Sequence, residues 1–160
     1  MLSKIEGKQD IRNIAIYNYT CNHTTAVNPK TDLWIQNIKY YIIGKKLQWI
    51  IEGIYYDYGP ERTEYERMIE DCQNGKIDLI IMKSVSRLSR NIVTIIEKVR
   101  QLTELGIGVY FCSENIYFLD EMSEENFKIF DFMARIESEE KKKRNPYDPG
   151  MYAEGRNEVP

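Results

Sequence analysis

Between Lys83 and Asn91 the chain reads Lys83-Ser84-Val85-Ser86-Arg87-Leu88-Ser89-Arg90-Asn91, three cations interleaved with small hydroxyl residues and no acid. The stretch follows directly on Ile77-Asp78-Leu79-Ile80-Ile81-Met82, a short apolar run that reads as a buried strand. Cations and hydroxyls at the exit of a buried strand suit an anionic phosphate, because guanidinium groups present planar, paired donors that match phosphate oxygens. Nucleic-acid chemistry therefore comes ahead of small-molecule chemistry. A second basic run, Lys141-Lys142-Lys143-Arg144, lies near the end of the chain. Taken alone, either run reads as a solvated basic surface. The chain of 160 residues carries a net charge of -3, so any contact with DNA must come from such local patches and not from the surface as a whole.

Other chemistries find less support. Cys21, Cys72 and Cys112 are odd in number and widely spaced, with no CxxC pair, which suggests neither a zinc site nor a disulfide framework. Reduced thiols in a cytoplasm fit best. Cys21 lies two residues from His23, the single histidine, but no third residue is identifiable to orient an imidazole toward the sulfur. The pair reads as a loop cysteine beside a solvent-exposed histidine. No GxGxxG follows the first strand, which argues against dinucleotide binding. The N-terminus has no apolar core of signal-peptide type and no run is long enough to span a bilayer, so the expectation is a cytoplasmic protein without a membrane partner.

The elements that must position these residues alternate in type. Ile11–Tyr19 reads as a first strand, and a polar segment follows from Thr20 to Lys30. Thr31 or Asp32 is placed to cap a helix running to about Lys46, with Trp34, Ile35, Ile38, Tyr41 and Ile42 at helical spacing. Gln48–Tyr56 is a second strand, ended by the turn signal Asp57-Tyr58-Gly59-Pro60. Arg62–Asn74 is a helix closed by Gly75, Ile77–Met82 a third strand, Asn91–Leu105 a helix, Val109–Cys112 a fourth strand, and Ile116–Leu119 a short fifth. Such alternation implies a mostly parallel sheet of four to five strands with right-handed crossovers, and a working site at the carboxyl ends of the strands. Residues 20–30 and 83–91 both fall on that edge, and Arg62 is near enough to join them.

The last helix, from Ser123 to roughly Lys143, differs. Phe127, Ile129, Phe130, Phe132, Met133, Ala134 and Ile136 cover more than one core-facing stripe requires. One partner is the sheet domain and the second is another subunit; the alternative is a helix sunk more deeply in its own domain. The expected division is a core over 1–122, the long helix over 123–144 and a flexible tail over 145–160.

Ordered in this way, the chain resembles the catalytic domain of serine recombinases, the resolvase/invertase group, and most of all its large members. The match runs from about Ile14 to about Glu140. Its strongest block is Glu70 through Asn91, across the third strand and its arginine loop. Glu114-Asn115-Ile116-Tyr117 fits the same group, as do Ala134, Glu137 and Ser138 at the start of the long helix. The resemblance implies a resolvase-like three-layer α/β domain and a long dimerisation helix. It further implies a serine hydroxyl that attacks a DNA backbone phosphate and forms a covalent phosphoserine link, with no metal or nucleotide cofactor. Fixed cations must then neutralise the charge that grows on the phosphate oxygens. Arg62, Arg87 and Arg90 match three of the family's active-site arginines. Lys83, Ser86, Lys141, Lys142, Lys143 and Arg144 are candidate DNA contacts, and Ser86 stands where small resolvases have Asp.

The departures carry equal weight. The family's first strand ends in Tyr-x-Arg-x-Ser, whereas here the stretch is Tyr17-Asn18-Tyr19-Thr20-Cys21. Tyr19 replaces the phosphate-binding arginine and Cys21 the nucleophilic serine. The loop after the second strand is shortened, and the usual DNA-binding domain is expected to be absent. A thiolate attacks a hard phosphorus centre less readily than an alkoxide does. Loss of a bidentate cation from the transition state costs on the order of 2–4 kcal/mol, about a hundredfold or more in rate. The expectation is a DNA-recombinase catalytic domain impaired in cleavage. The alternatives are a non-catalytic regulator that forms a homodimer, or a heterodimer with an active recombinase, through helix 123–143, and a decayed fragment.

Overall fold

The computed structural model describes residues 2–8, 10–20, 29–30, 32–89, 91–119 and 123–144. Cys21, His23, Thr31, Arg90 and the stretch 145–160, to which the sequence reading gave a role or a shape, lie outside the described residues. The elements are β1 (Asn13–Thr20), α1 (Leu33–Gly44), β2 (Ile50–Tyr58), α2 (Thr63–Gln73), β3 (Leu79–Met82), a 3-10 turn (Val85–Arg87), α3 (Ile92–Glu104), β4 (Gly108–Phe111), β5 (Ile116–Phe118) and α4 (Ser123–Arg144). Among the described residues the strands form one sheet in the order β2-β1-β3-β4-β5. All neighbours are parallel except β4 and β5. The expected α/β class and mostly parallel sheet are borne out.

Both sheet faces are covered, as parallel strands require. Alternate residues of β1 point to opposite faces. Ala15 and Tyr17 pack with Ile80, Met82, Val109 and Phe111 beneath α2, α3 and α4. Ile14 and Ile16 pack with Leu79, Ile81 and Tyr110 beneath Ile35, Ile38 and Ile42 of α1. Leu2 and Ile5, fully buried, complete this second face. Burial of each is worth roughly 1.5–3 kcal/mol, so the N-terminal turn belongs to the fold, a role the sequence reading did not give it.

Element ends shift by a residue or two from their expected places, and one shift matters for the site. β2 continues through Asp57 and Tyr58, which pair with Tyr19 and Thr20 of β1. The chain turns only at Gly59, whose φ of 67° is the left-handed region that suits glycine and whose N–H donates to the Thr20 carbonyl at 2.9 Å. Asp57, read from sequence as a turn residue, is thereby a strand residue. α1 is capped by Asp32, whose carboxylate accepts from the N–H groups of Trp34 and Ile35. In α4, Phe127 and Phe130 are buried against Phe118, whereas Phe132 is 64% exposed. The side chains of Ile129, Met133, Ala134 and Ile136 lie outside the described residues. Among the described residues no helix is long and apolar enough to cross a membrane.

Candidate functional site

β1, β2 and β3 run in one direction and end on one edge, with Tyr17 opposite Met82 and Tyr19 opposite Asp57. That register brings three chain exits together. Asp57, 2% exposed, is the hub between two of them. Its carboxylate accepts the Tyr17 hydroxyl at 3.0 Å and the N–H groups of Glu64 and Tyr65 at 2.9 Å each. The last two are the free donors at the start of α2, so Asp57 caps that helix from the neighbouring strand. Arg62 occupies the cap position itself and makes no side-chain cap hydrogen bond, which leaves its guanidinium for other partners.

Those partners define the site. Arg62 Nη1 donates to the Tyr17 hydroxyl at 2.8 Å and to the Arg87 carbonyl at 3.0 Å. Its guanidinium carbon lies 3.8 Å from the centre of the Tyr19 ring. Arg87, in the 3-10 turn after β3, sends Nη1 to the Tyr19 carbonyl at 3.1 Å. Its Nε is buried with no hydrogen-bond partner among the described residues. Burial pushes the Tyr17 phenol well above its ordinary range, with Arg62 opposing, so Tyr17 is a neutral donor and acceptor between Asp57 and Arg62. Among the described residues neither Arg62 nor Arg87 forms an ion pair; the pairs present involve Arg67, Lys76 and Arg100. Two cations gathered without a carboxylate partner make a cradle for an anion.

A second carboxylate anchors the β1 exit. Asp32 accepts from Asn18 Nδ2 at 2.7 Å, and Asn18 Oδ1 accepts the Tyr19 N–H at 2.9 Å. Tyr56 also bonds Asp32; burial, with Asp32 adding to it, raises that phenol to about 12. On the far side, the Ser84 and Ser86 hydroxyls lie 2.8 Å apart, and the Lys83 carbonyl accepts the hydroxyl of Ser113 at 2.8 Å. Glu114 accepts the Val85 N–H at 3.4 Å, and its other oxygen is buried without a partner among the described residues. Burial raises the Glu114 carboxyl above its ordinary range.

The structure thus brings together Arg62 and Arg87, with Lys83 and Ser86 on the same loop. Cys21 and Arg90 lie outside the described residues. Lys142 is exposed on α4, whereas the side chains of Lys141, Lys143 and Arg144 are outside the described residues. The sequence reading missed two participants. Asp57 gave no signal beyond its turn-like neighbours. Lys98 of α3 lies 4.5 Å from the centre of the Tyr65 ring, and burial, then Arg62, lowers its ordinary pKa. A lysine at i+3 from buried Ile95 was the signal available for it.

A mostly parallel α/β sheet with an arginine pair at its carboxyl edge defines a class, and similarity to known proteins gives its family. The model of the resolvase N-terminal domain matches residues 30–146, and the chain belongs to that family. The resemblance to serine recombinase catalytic domains is borne out. Three solved structures are similar in fold. The N-terminal catalytic domain of TP901-1 integrase has 21% identity and a TM-score of 0.61, over 80% of this chain and 98% of that one. A resolvase family site-specific recombinase from Streptococcus pneumoniae has 18% identity and a TM-score of 0.61, over 91% and 99%. The C-terminal catalytic domain of ISC1926 TnpA, an IS607-like serine recombinase, has 14% identity and a TM-score of 0.50, over 62% and 68%. At these identities the likeness is one of fold. No curated protein matches the sequence. The family match begins after Cys21, so the departures in Tyr17–Cys21 lie outside it.

Proposed function

We propose that this chain is a recombinase-type catalytic domain that holds a DNA backbone phosphate at the carboxyl edge of its sheet and is impaired in cleaving it. The observation that carries this reading is the pair Arg62 and Arg87, from two different strand exits, bonded to one another's surroundings and, among the described residues, without an ion-pair partner. Arg90 is the third cation in this reading, and Lys83, Ser86, Lys141, Lys142, Lys143 and Arg144 are flanking contacts. Cys21 occupies the nucleophile position. In-line attack would form an Sγ–P bond and expel a deoxyribose oxygen, with the guanidinium groups holding the non-bridging oxygens. The thiolate is a poor match for phosphorus, and Tyr19 offers no charge where the family has an arginine, so binding outlasts cleavage. No metal or nucleotide cofactor enters the reading, and the role is a cytoplasmic one.

The test is retention of a labelled duplex at low salt by the whole chain and by Arg62→Ala and Arg87→Ala. Each substitution is expected to weaken retention roughly tenfold and to lower the salt slope by about one. Unchanged retention in both variants sinks the proposal.

A second reading is favoured by the exposed ring of Phe132 on α4. A domain that binds but does not cut would act as a dimerising regulator, pairing through helix 123–143 with its own copy or with an active recombinase. Added to a cleavage assay of an active relative, it should lower the rate, and Phe132→Asp should abolish that effect. Full activity of the relative at excess regulator contradicts this reading.

A further inference from the structure

The residue that stands where the family has an arginine does more than leave a charge out. We propose that Tyr19 is the positioning residue of the phosphate site, its ring fixing Arg62 and its main chain fixing Arg87. This rests on the phosphate-binding reading above and assigns a role within it that belongs to this chain's own sequence.

Three contacts converge on Tyr19. Its ring lies against the Arg62 guanidinium, 3.8 Å from centroid to the guanidinium carbon, the arrangement in which the negative face of the ring attracts the cation. Its carbonyl accepts from Arg87 Nη1 at 3.1 Å. Its N–H donates to Asn18 Oδ1 at 2.9 Å, and Asn18 Nδ2 donates to Asp32 at 2.7 Å, at the start of α1. Tyr19 is therefore anchored from behind while it holds both arginines in front.

The consequence concerns preorganisation. Arg62 Nη1 is already committed to the Tyr17 hydroxyl and the Arg87 carbonyl, and one face of its guanidinium is covered. The side chain has little freedom left to lose when an anion arrives, so binding is not weakened by the cost of ordering it. Arg62 meets Arg87 at its main-chain carbonyl, and Tyr19 offers negative potential to each guanidinium separately, its ring face to Arg62 and its carbonyl to Arg87. An arginine at position 19 would instead set a third cation against Arg62. Tyr19 thus replaces charge at β1 with a neutral hold on two guanidiniums, its ring on Arg62 and its carbonyl on Arg87. No hydroxyl of Tyr19 is needed for this, so phenylalanine should serve as well.

The experiment uses the full chain and a short fluorescein-labelled duplex at low salt, with Tyr19→Phe, Tyr19→Leu, Arg62→Ala and the double variant Tyr19→Leu/Arg62→Ala. Tyr19→Phe is expected to bind as the parent does, and Tyr19→Leu roughly threefold to tenfold more weakly. The double variant should bind no more weakly than Arg62→Ala alone, because the ring then has nothing left to position. In the free protein the Arg62 Nε–H resonance should be shifted by the ring current in the parent and in Tyr19→Phe, and should return to the free-arginine position in Tyr19→Leu. Full binding by Tyr19→Leu, or additive losses in the double variant, overturns the role of Tyr19 while Arg62→Ala keeps the phosphate reading intact. Parent-like binding by both Arg62→Ala and Arg87→Ala overturns the phosphate reading and Tyr19's role with it. Should Tyr19→Leu fail to fold, an unshifted Arg62 resonance in the parent chain alone is sufficient to overturn the proposal.

Discussion

The exits of β1 and β3 meet at one edge of the sheet and differ in what they bring there. The β3 exit lies inside the family match and carries Lys83, Ser86 and Arg87 in a short 3-10 turn and its approach. The β1 exit lies outside that match and presents Tyr17 and Tyr19, phenols where the recombinase pattern has a phenol and a cation. Yet the two are tied together, directly by the hydrogen bond from Arg87 to the Tyr19 main chain and through Arg62, which donates to the Tyr17 hydroxyl and to the Arg87 carbonyl. The main chain gathers Arg62 and Arg87 at this edge with a neutral ring, not a cation, at position 19. Holding an anion and breaking its bond are separable demands. The first needs fixed donors, and the second also needs a hard nucleophile and charge directed at the transition state.

The largest expected effect strikes the joint between the exits. Asp57→Ala leaves the Tyr17 hydroxyl and two N–H groups of α2 without their acceptor in a buried place. Stability in urea should fall by about 3 kcal/mol, and Arg62 should lose its place with α2. A loss under about 1 kcal/mol would mean that water replaces the carboxylate and that the two exits are less firmly joined than the distances imply.

The next effect sharpens the comparison by making the β1 wall match the recombinase pattern. Tyr19→Arg with Cys21→Ser supplies a cation and an alkoxide precursor. Cleavage of a supercoiled target should nevertheless remain poor, because the local patches hold few phosphates. Robust cleavage by this double variant would show that affinity is not the limit.

A smaller effect separates the thiols. Burial raises Cys72 and Cys112 each to about 12. At pH 8 both should therefore be almost wholly in the thiol form and resist iodoacetamide in the native protein, reacting only after unfolding. Rapid native labelling of either would contradict its placement.

The smallest effect concerns the support of the β3 turn. Glu114 has a carboxyl raised by burial, so the folded protein holds its proton at a pH where the unfolded chain releases it. In that window the folded state binds more protons, and stability falls as pH rises from the ordinary carboxyl pKa through the raised one. Glu114→Gln keeps an acceptor for the Val85 N–H and removes the titrating group. It should raise stability at pH 7 by about 1 kcal/mol or less and flatten the stability profile across that window. An unchanged profile would assign the pH dependence elsewhere.

Much of the architecture was legible because its signals are local. Asp32 as a cap follows from a short acid before Leu33-Trp34-Ile35, and Gly75 and Gly106 close α2 and α3 with φ of 73° and 78°. The buried run Leu79–Met82 and the cations after it needed no partner to be recognised. Asp57 was misread because its neighbours Tyr58-Gly59-Pro60 spell a turn, and only the parallel ladder with Tyr19 and Thr20 keeps it in the strand. Its contacts span from Tyr17 to Tyr65, a distance no sequence window covers. The burial of Leu2 and Ile5 was hidden for the same reason, since two apolar residues among polar ones show no period. Tyr19 was visible as a departure from a pattern. That its ring lies on Arg62 and its carbonyl on Arg87 depends on how α2 and the β3 turn dock.

The most direct test of the separation between holding and cutting uses a nicked recombination-site duplex that traps covalent intermediates, incubated with the unaltered chain and read by gel retention and by intact mass. We expect salt-sensitive retention that Arg87→Ala weakens, with no protein–DNA adduct. A stable mass shift mapping to Cys21 would contradict that separation, and would mean that the thiol wall cuts as well as the arginine wall holds.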